Sequence, residues 1–241
     1  MRKLQTAVIM AAGLGTRFGE MTETKPKGFI EVGGISMIER SIKILVDCGI
    51  SRIIIGTGYH SEAYEQLAKE YPQIECCFSS LYAQTNSMYT LYNCRETIGD
   101  DDFLLLESDL VFEKRAIISL LESQWEDIML ISPVTKFQDQ YYVECNESHV
   151  LTRCSVNKQD LTPSGELVGI HKISNVFYKI MCSDYSAKFS EEPKLGYEFE
   201  LEDISRKKRP LNVLKLEGLK WYEIDDELDK TYAEKNIIKY L

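Results

Sequence analysis

Residues 5–10 form a short apolar run without a helical period, and they open directly into the small, glycine-containing stretch AAGLGTRFG. Neither a strand nor a helix continues comfortably through those residues, so the segment reads as a buried strand feeding a loop. Over 36–46, Ile38, Ile42, Leu45 and Val46 recur at helical spacing, Gly49 stops the pattern, and 52–56 reads as the next strand. Ser61 is the expected N-cap of a helix whose core stripe is Tyr64, Leu67, Ala68 and Tyr71. Further strands over 75–79, 102–106 and 128–134 alternate with helices over 87–98 and 113–121. Such alternation predicts a three-layer α/β/α sandwich.

Beyond Pro133 the pattern changes. Strands over 141–145 and 150–156, separated by Asn146, Glu147 and Ser148, predict a β-hairpin, and 167–173 adds a third strand to that smaller insertion. Helices over 175–187 and 197–205 would cover the edge of the sheet where ligands bind. A last strand over 212–224 and a helix from about Asp226 complete the expected elements. The 241 residues, 44% of them hydrophobic, suit one domain over 1–241.

Composition removes several classes of function. No apolar run approaches the roughly 20 residues of a membrane span, and the N-terminus does not read as a signal peptide, so a cytoplasmic location is expected. Seven cysteines, an odd number without a CxxC pair, fit reduced thiols better than disulfides or zinc. With 28 Lys and Arg against 38 Asp and Glu, the net charge of −10 disfavours nucleic acid and anionic membrane. A nucleotide would need a local basic pocket.

That pocket is foreshadowed in AAGLGTRFGEMTETKPKGFIEV, where a glycine turn precedes Arg17 and then Lys25, Pro26 and Lys27. Glycines let backbone N–H groups approach phosphate oxygens, and basic side chains offset a triphosphate's charge. An ordinary tight turn explains the glycines equally well when they are taken alone. Phe18 stands where a dinucleotide GxGxxG needs glycine, and no GxxxxGK[ST] phosphate loop is present. LLLESDL over 104–110 ends an apolar strand in Glu107, Ser108 and Asp109, which places a carboxylate at the strand's carboxyl end and makes Asp109 a candidate metal ligand.

The GxGxR pattern followed by a distal PK resembles the signature of the sugar-phosphate and choline-phosphate nucleotidyltransferases. PKGFIEVGG, IGTGY, NSMYTLY, LLLESDL, GELVGI and PKLGYE together are similar to the 2-aminoethylphosphonate cytidylyltransferases of that family. The resemblance spans nearly the whole chain. It implies a Rossmann-like mixed sheet and transfer of CMP from CTP to a small phosphonate with release of pyrophosphate. Arg17 and Lys27 would grip the triphosphate, and Asp225, with Asp226 as a substitute, would join Asp109 around Mg²⁺. Capping of the following helices is the alternative use of these aspartates.

For the nucleotide, backbone groups of Ala11, Ala12, Gly13 and Gly15 are candidates, with Gly58, Asn86 and Ser87 nearby; Asn86 and Ser87 also suit a helix cap. Lys136 is the candidate for the acceptor's phosphonate, with Asp139 and Glu198 for its ammonium, in a subregion over about 135–210. Solvated surface positions are the alternative for all three. Tyr89 and Tyr92 read as core or pocket wall. Tyr141, Tyr142, Trp221 and Tyr222 are the residues available for an aromatic cage, which a trimethylammonium would favour, whereas a primary ammonium needs hydrogen-bond acceptors. The acceptors rank as aminoethylphosphonate, phosphocholine, then a sugar 1-phosphate. His60, His149 and His171 follow no nucleophile or metal spacing, which suits an acceptor oxygen that is already anionic and needs no general base. The non-enzymatic alternative is a nucleotide sensor.

Overall fold

The computed structural model describes residues 4–135 and 140–241, apart from the side chain of Glu20. Among the described residues thirteen strands run in order as β1 (Thr6–Ala11), β2 (Glu31–Val32), β3 (Ile35–Ser36), β4 (Arg52–Thr57), β5 (Ile74–Phe78), β6 (Phe103–Glu107), β7 (Leu110–Phe112), β8 (Ile128–Ser132), β9 (Tyr142–Cys145), β10 (Leu151–Ser155), β11 (Gly165–Ile173), β12 (Asn212–Lys215) and β13 (Trp221–Glu223). The α-helices are α1 (Met37–Asp47), α2 (Ser61–Glu70), α3 (Ser87–Asn93), α4 (Arg95–Ile98), α5 (Arg115–Glu122), α6 (Asn175–Lys188), α7 (Tyr197–Lys207) and α8 (Glu227–Asn236).

Nine strands form one mixed sheet. β5, β4, β1 and β6 run parallel, β11 pairs antiparallel with β6, and β8 continues beside β11 with β12 parallel at its outer side. Both faces are covered, and strand alternation sorts the side chains between them. Ala7, Ile9 and Ala11 of β1 pack with Ile38, Ile42 and Leu45 of α1, Tyr64 of α2 and Ile117 of α5. Val8 and Met10 point to the opposite layer, with Leu91 of α3, Phe177 and Met181 of α6 and Leu201 of α7. The result is the expected three-layer α/β/α architecture. A third, smaller cluster lies under α8 and joins Phe18, Ile30, Val32, Met37, Val111, Ile224 and Ala233.

Several boundaries differ from the sequence reading for identifiable reasons. Helix 87–98 is interrupted at Cys94, so α3 and α4 are separate. Ser61 is the first helical residue of α2, and the cap is His60 in a left-handed conformation (φ 52°). The single strand over 212–224 is two strands in different sheets, β12 against β8 and β13 against β7, separated by a turn at Gly218. The hairpin over 141–156 forms as β9 and β10. The third strand is more than part of an insertion, because β11 pairs with β6, β8 and β9 and thereby builds the hairpin into the main sheet.

Candidate active site

A cleft of about 550 Å³ opens at the carboxyl ends of β1 and β6, walled by the glycine loop, the start of α3, α7 and β13. Ala11, Ala12, Gly13, Gly15, Arg17, Lys27, Asn86, Ser87, Asp109, Glu198 and Asp225 all line it. These positions span the chain from residue 11 to 225, and the sheet collects them. Lys136 and Asp139 lie outside the described residues.

The loop after β1 is tight. Gly15 adopts φ +64°, and a Cβ there would stand 3.2 Å from Cβ of Lys27, so the loop packs directly on the lysine it helps to place. Gly58 does not line the cleft. It backs the loop, since its own Cβ would meet the Ala12 carbonyl oxygen at 2.7 Å.

At the mouth, the Lys27 ammonium donates to Asp109 Oδ2 and to Asp225 Oδ1, each at 2.6 Å. Burial opposes the lysine's charge, but the two carboxylates outweigh it and hold its pKa above the ordinary lysine value. Arg17 donates to the same Asp225 Oδ1 at 2.6 Å while its side chain stays 55% exposed and lines the cleft.

Backbone register brings the two aspartates together. β13 pairs antiparallel with β7, and the Ile224 N–H donates to the Asp109 carbonyl at 2.9 Å. The neighbouring acids then divide their roles: Asp226 caps α8 by accepting from the Asp229 N–H, which leaves Asp225 facing the cleft. Asp109 caps no helix, because α5 begins after Lys114.

Two sets of hard oxygen donors can hold a divalent cation, and Asp109 belongs to both. In one it faces Asp225 across Lys27. In the other, carboxylate oxygens of Glu107, Asp109 and Glu223 lie within 4.8 Å of one another. Either set suits Mg²⁺ in donor type.

Glu107 and Glu223 were not singled out as site residues by sequence reasoning. Glu107 ends a strand among apolar residues, half-buried, and its surroundings are visible only in three dimensions. It accepts from the Tyr197 hydroxyl at 2.6 Å, and burial, aided by Glu223, Asp109 and Glu198, pushes its pKa well above the usual carboxylate range. Burial pushes Glu198 up to about 7. His171, fully enclosed, lies 3.1 Å from the Tyr197 hydroxyl, and burial pulls its pKa down to about 3.

Of the four aromatic residues available for a cage, only Tyr141 and Trp221 line the cleft. Each stands next in sequence to Tyr142 or Tyr222, and in extended chain adjacent side chains face opposite ways. Tyr142 is 4% exposed in β9, and Tyr222 packs against Tyr232 at 4.7 Å between ring centroids. Tyr89 and Tyr92 do not line the cleft; partly buried, they pack on the core beside Phe189 and Tyr185. Asn86 caps α3 by accepting from the Ser87 N–H, and Ser87 Oγ accepts from the Tyr197 N–H at 3.0 Å.

A sequence profile of the MobA-like NTP transferase domain matches residues 7–166, and the chain belongs to this family. Two curated relatives then narrow the comparison. The 2-aminoethylphosphonate cytidylyltransferase of Lancefieldella rimae is 36% identical over 111 residues, 46% of this chain and 45% of that protein. The choline-phosphate cytidylyltransferase of Streptococcus pneumoniae is 39% identical over 94 residues, 39% of this chain and 41% of the relative. The matching stretches therefore span less than half of either relative. Over nearly full length, the solved CTP:phosphocholine cytidylyltransferase from Streptococcus pneumoniae superimposes with a TM-score of 0.80 at 23% identity, covering 96% of this chain and 99% of that one. At that identity the likeness concerns the fold.

Proposed function

We propose that the chain is a Mg²⁺-dependent cytidylyltransferase that moves CMP from CTP to 2-aminoethylphosphonate and releases pyrophosphate. The observation that carries this reading is the constellation of Lys27, Arg17, Asp109 and Asp225, joined by contacts of 2.6 Å beside the glycine loop. The family and the similarity to the Lancefieldella enzyme support the nucleotide chemistry and the acceptor.

In this reading a phosphonate oxygen attacks the α-phosphorus of CTP. A new P–O bond forms as the bond between the α-phosphorus and the bridging oxygen breaks, and that electron pair leaves with pyrophosphate. Arg17 and Lys27 offset the charge that accumulates on the phosphoryl oxygens, a role suited to preorganised cations in a partly desolvated cleft. Mg²⁺, held by Asp109 and Asp225, would supply electrostatic stabilisation of the phosphates. Backbone N–H groups of the glycine loop orient the phosphates, and Asn86 and Ser87 stand where base or ribose would lie. Residues 135–210, with Lys136 for the phosphonate and Asp139 and Glu198 for the ammonium, form the acceptor side. No general base is required, which agrees with the one deeply buried histidine being engaged by Tyr197.

Pyrophosphate release with CTP and Mg²⁺, measured in parallel with aminoethylphosphonate, phosphocholine and glucose 1-phosphate, tests the proposal. Release with aminoethylphosphonate alone supports it. Preference for another acceptor replaces the substrate, and nucleotide binding without release under all three conditions replaces the enzyme with a sensor.

A further inference from the structure

The cleft brings both signs of charge together. Arg17, Lys27 and the glycine loop line it, and so do Glu107, Glu198 and Glu223, which gather around the rings of Tyr141 and Tyr197, with which all three interact electrostatically. Glu198 is 6% exposed, lines the cleft, and its Oε2 is buried without a hydrogen-bond partner. A buried carboxylate oxygen in that state is costly unless a donor arrives. Glu107 is held more firmly. The Tyr197 hydroxyl donates its one proton to Glu107 Oε1, and His171 Nε2, within hydrogen-bond distance behind it, must then be the donor to the tyrosine oxygen. On the other side β11 bulges at Gly169, at φ +74°, and a Cβ there would collide with Glu107 Oε2. The left-handed glycine therefore makes the space the carboxylate occupies.

We propose that Glu107, held by the buried pair Tyr197 and His171, is the specificity-determining anchor of a primary-ammonium subsite completed by Glu198 and Glu223. The inference rests on the transferase reading and refines its acceptor to a short zwitterion with an anionic phosphorus group at one end and a primary amine at the other. An –NH₃⁺ group carries three donors and is satisfied by several converging carboxylate oxygens. A trimethylammonium group has none and would leave Glu198 Oε2 without a donor. Glu107 is thus a binding residue, and Tyr197 and His171 are positioning residues.

The test uses the full chain with CTP and Mg²⁺ and compares 2-aminoethylphosphonate with propylphosphonate, in which a methyl group replaces the ammonium. The expected result is a preference for the amine of roughly 100-fold or more in kcat/KM. Glu198→Gln should raise KM for aminoethylphosphonate by roughly 10- to 100-fold, the scale of one hydrogen bond to a charged group, while KM for CTP stays put. Tyr197→Phe, which removes only the hydroxyl, should raise the same acceptor KM several-fold and narrow the discrimination between the two phosphonates. Equal use of propylphosphonate or phosphocholine by the wild type overturns the subsite whatever the variants do. So does Glu107→Gln raising the Mg²⁺ requirement equally with every acceptor, since Glu107 would then be a metal ligand. Turnover with glucose 1-phosphate but not the amine keeps the transferase and removes the subsite. Absence of release with all acceptors removes the transferase; calorimetric titration of the CTP-bound chain with the two phosphonates then decides the subsite, with tighter binding of the amine supporting it and equal or no binding ending it.

Discussion

Lys27 Nζ donates to Asp225 Oδ1 at 2.6 Å across 198 residues of sequence, joining the segment after the glycine loop to the end of β13. The same nitrogen reaches Asp109, so one cation neutralises the two carboxylates best placed for a metal. Replacing Lys27 with alanine should lower transfer by at least roughly 10²-fold to 10³-fold, the range for losing one preorganised electrostatic contact. Steady-state pyrophosphate release beside a circular dichroism spectrum checks this, and near-normal turnover in a folded variant sinks the assignment.

Arg17 separates catalysis from stability. More than half of its side chain is exposed, so its ion pair with Asp225 contributes only up to about 1 kcal/mol to folding. Arg17→Ala should therefore reduce kcat by about 10²-fold while shifting the thermal midpoint by only a few degrees. Comparable losses in both, seen by kinetics and calorimetry together, would make the arginine structural.

The proposed reading makes transfer metal-dependent through these carboxylates. Removing divalent ions with a chelator should abolish pyrophosphate release, and Mg²⁺ should restore it. Asp225→Asn keeps the shape but removes one anionic donor, so it should raise the Mg²⁺ concentration needed for half-maximal rate by tenfold or more, on the order of the affinity lost with a ligand contact. A variant saturating at the wild-type Mg²⁺ concentration would exclude Asp225 from the metal site.

His171 sets a pH dependence of stability. Its folded pKa, about 3, lies below the ordinary value near 6.5, so the unfolded chain binds the extra proton. Stability from keeping this ring neutral is complete above about pH 6.5 and falls as pH drops, by at most about 1.4 kcal/mol per unit, until the folded pKa is reached. Glu198, raised to about 7, pulls in the opposite direction, so the informative quantity is a difference. Denaturant unfolding of wild type and His171→Gln at pH 7 and pH 5 should show wild type losing more stability on acidification. Parallel losses would contradict the buried neutral ring.

Tryptophan 221 shows how packing and site share residues. Its indole N–H donates to Ser132 Oγ at 2.9 Å while the ring lines the cleft. Trp221→Phe loses that bond and should cost about 1 kcal/mol or somewhat more, because Ser132 is buried, readable as a lower denaturant midpoint.

Local pattern made much of the molecule legible. The apolar run before the glycine loop could only be buried, and it is central β1; the helical spacing of Ile38, Ile42, Leu45 and Val46 marks α1, whose first turn the structure shows capped by Ser36 Oγ accepting from the Glu39 N–H at 3.3 Å. The residues 212–224 were harder, since their turn at Gly218 is short and the two halves join different sheets, a choice made by partners far away in sequence. Arg17, Lys27, Asp109 and Asp225, singled out by residue type near the ends of strands, are brought into contact in the cleft.

By itself, then, the sequence determined the alternation of elements, the burial of β1 and the glycine loop with its basic residues Arg17 and Lys27, all of which depend on neighbours a few residues apart. Only the tertiary structure decided that Asp225 rather than Asp226 faces Asp109, that Tyr141 and Trp221 turn inward while Tyr142 and Tyr222 turn away, and that Glu107 meets Glu198 and Glu223 over a buried tyrosine and histidine. Those outcomes are set by strand register and by the electrostatics of desolvation, which exist only once distant segments have been brought into one interior.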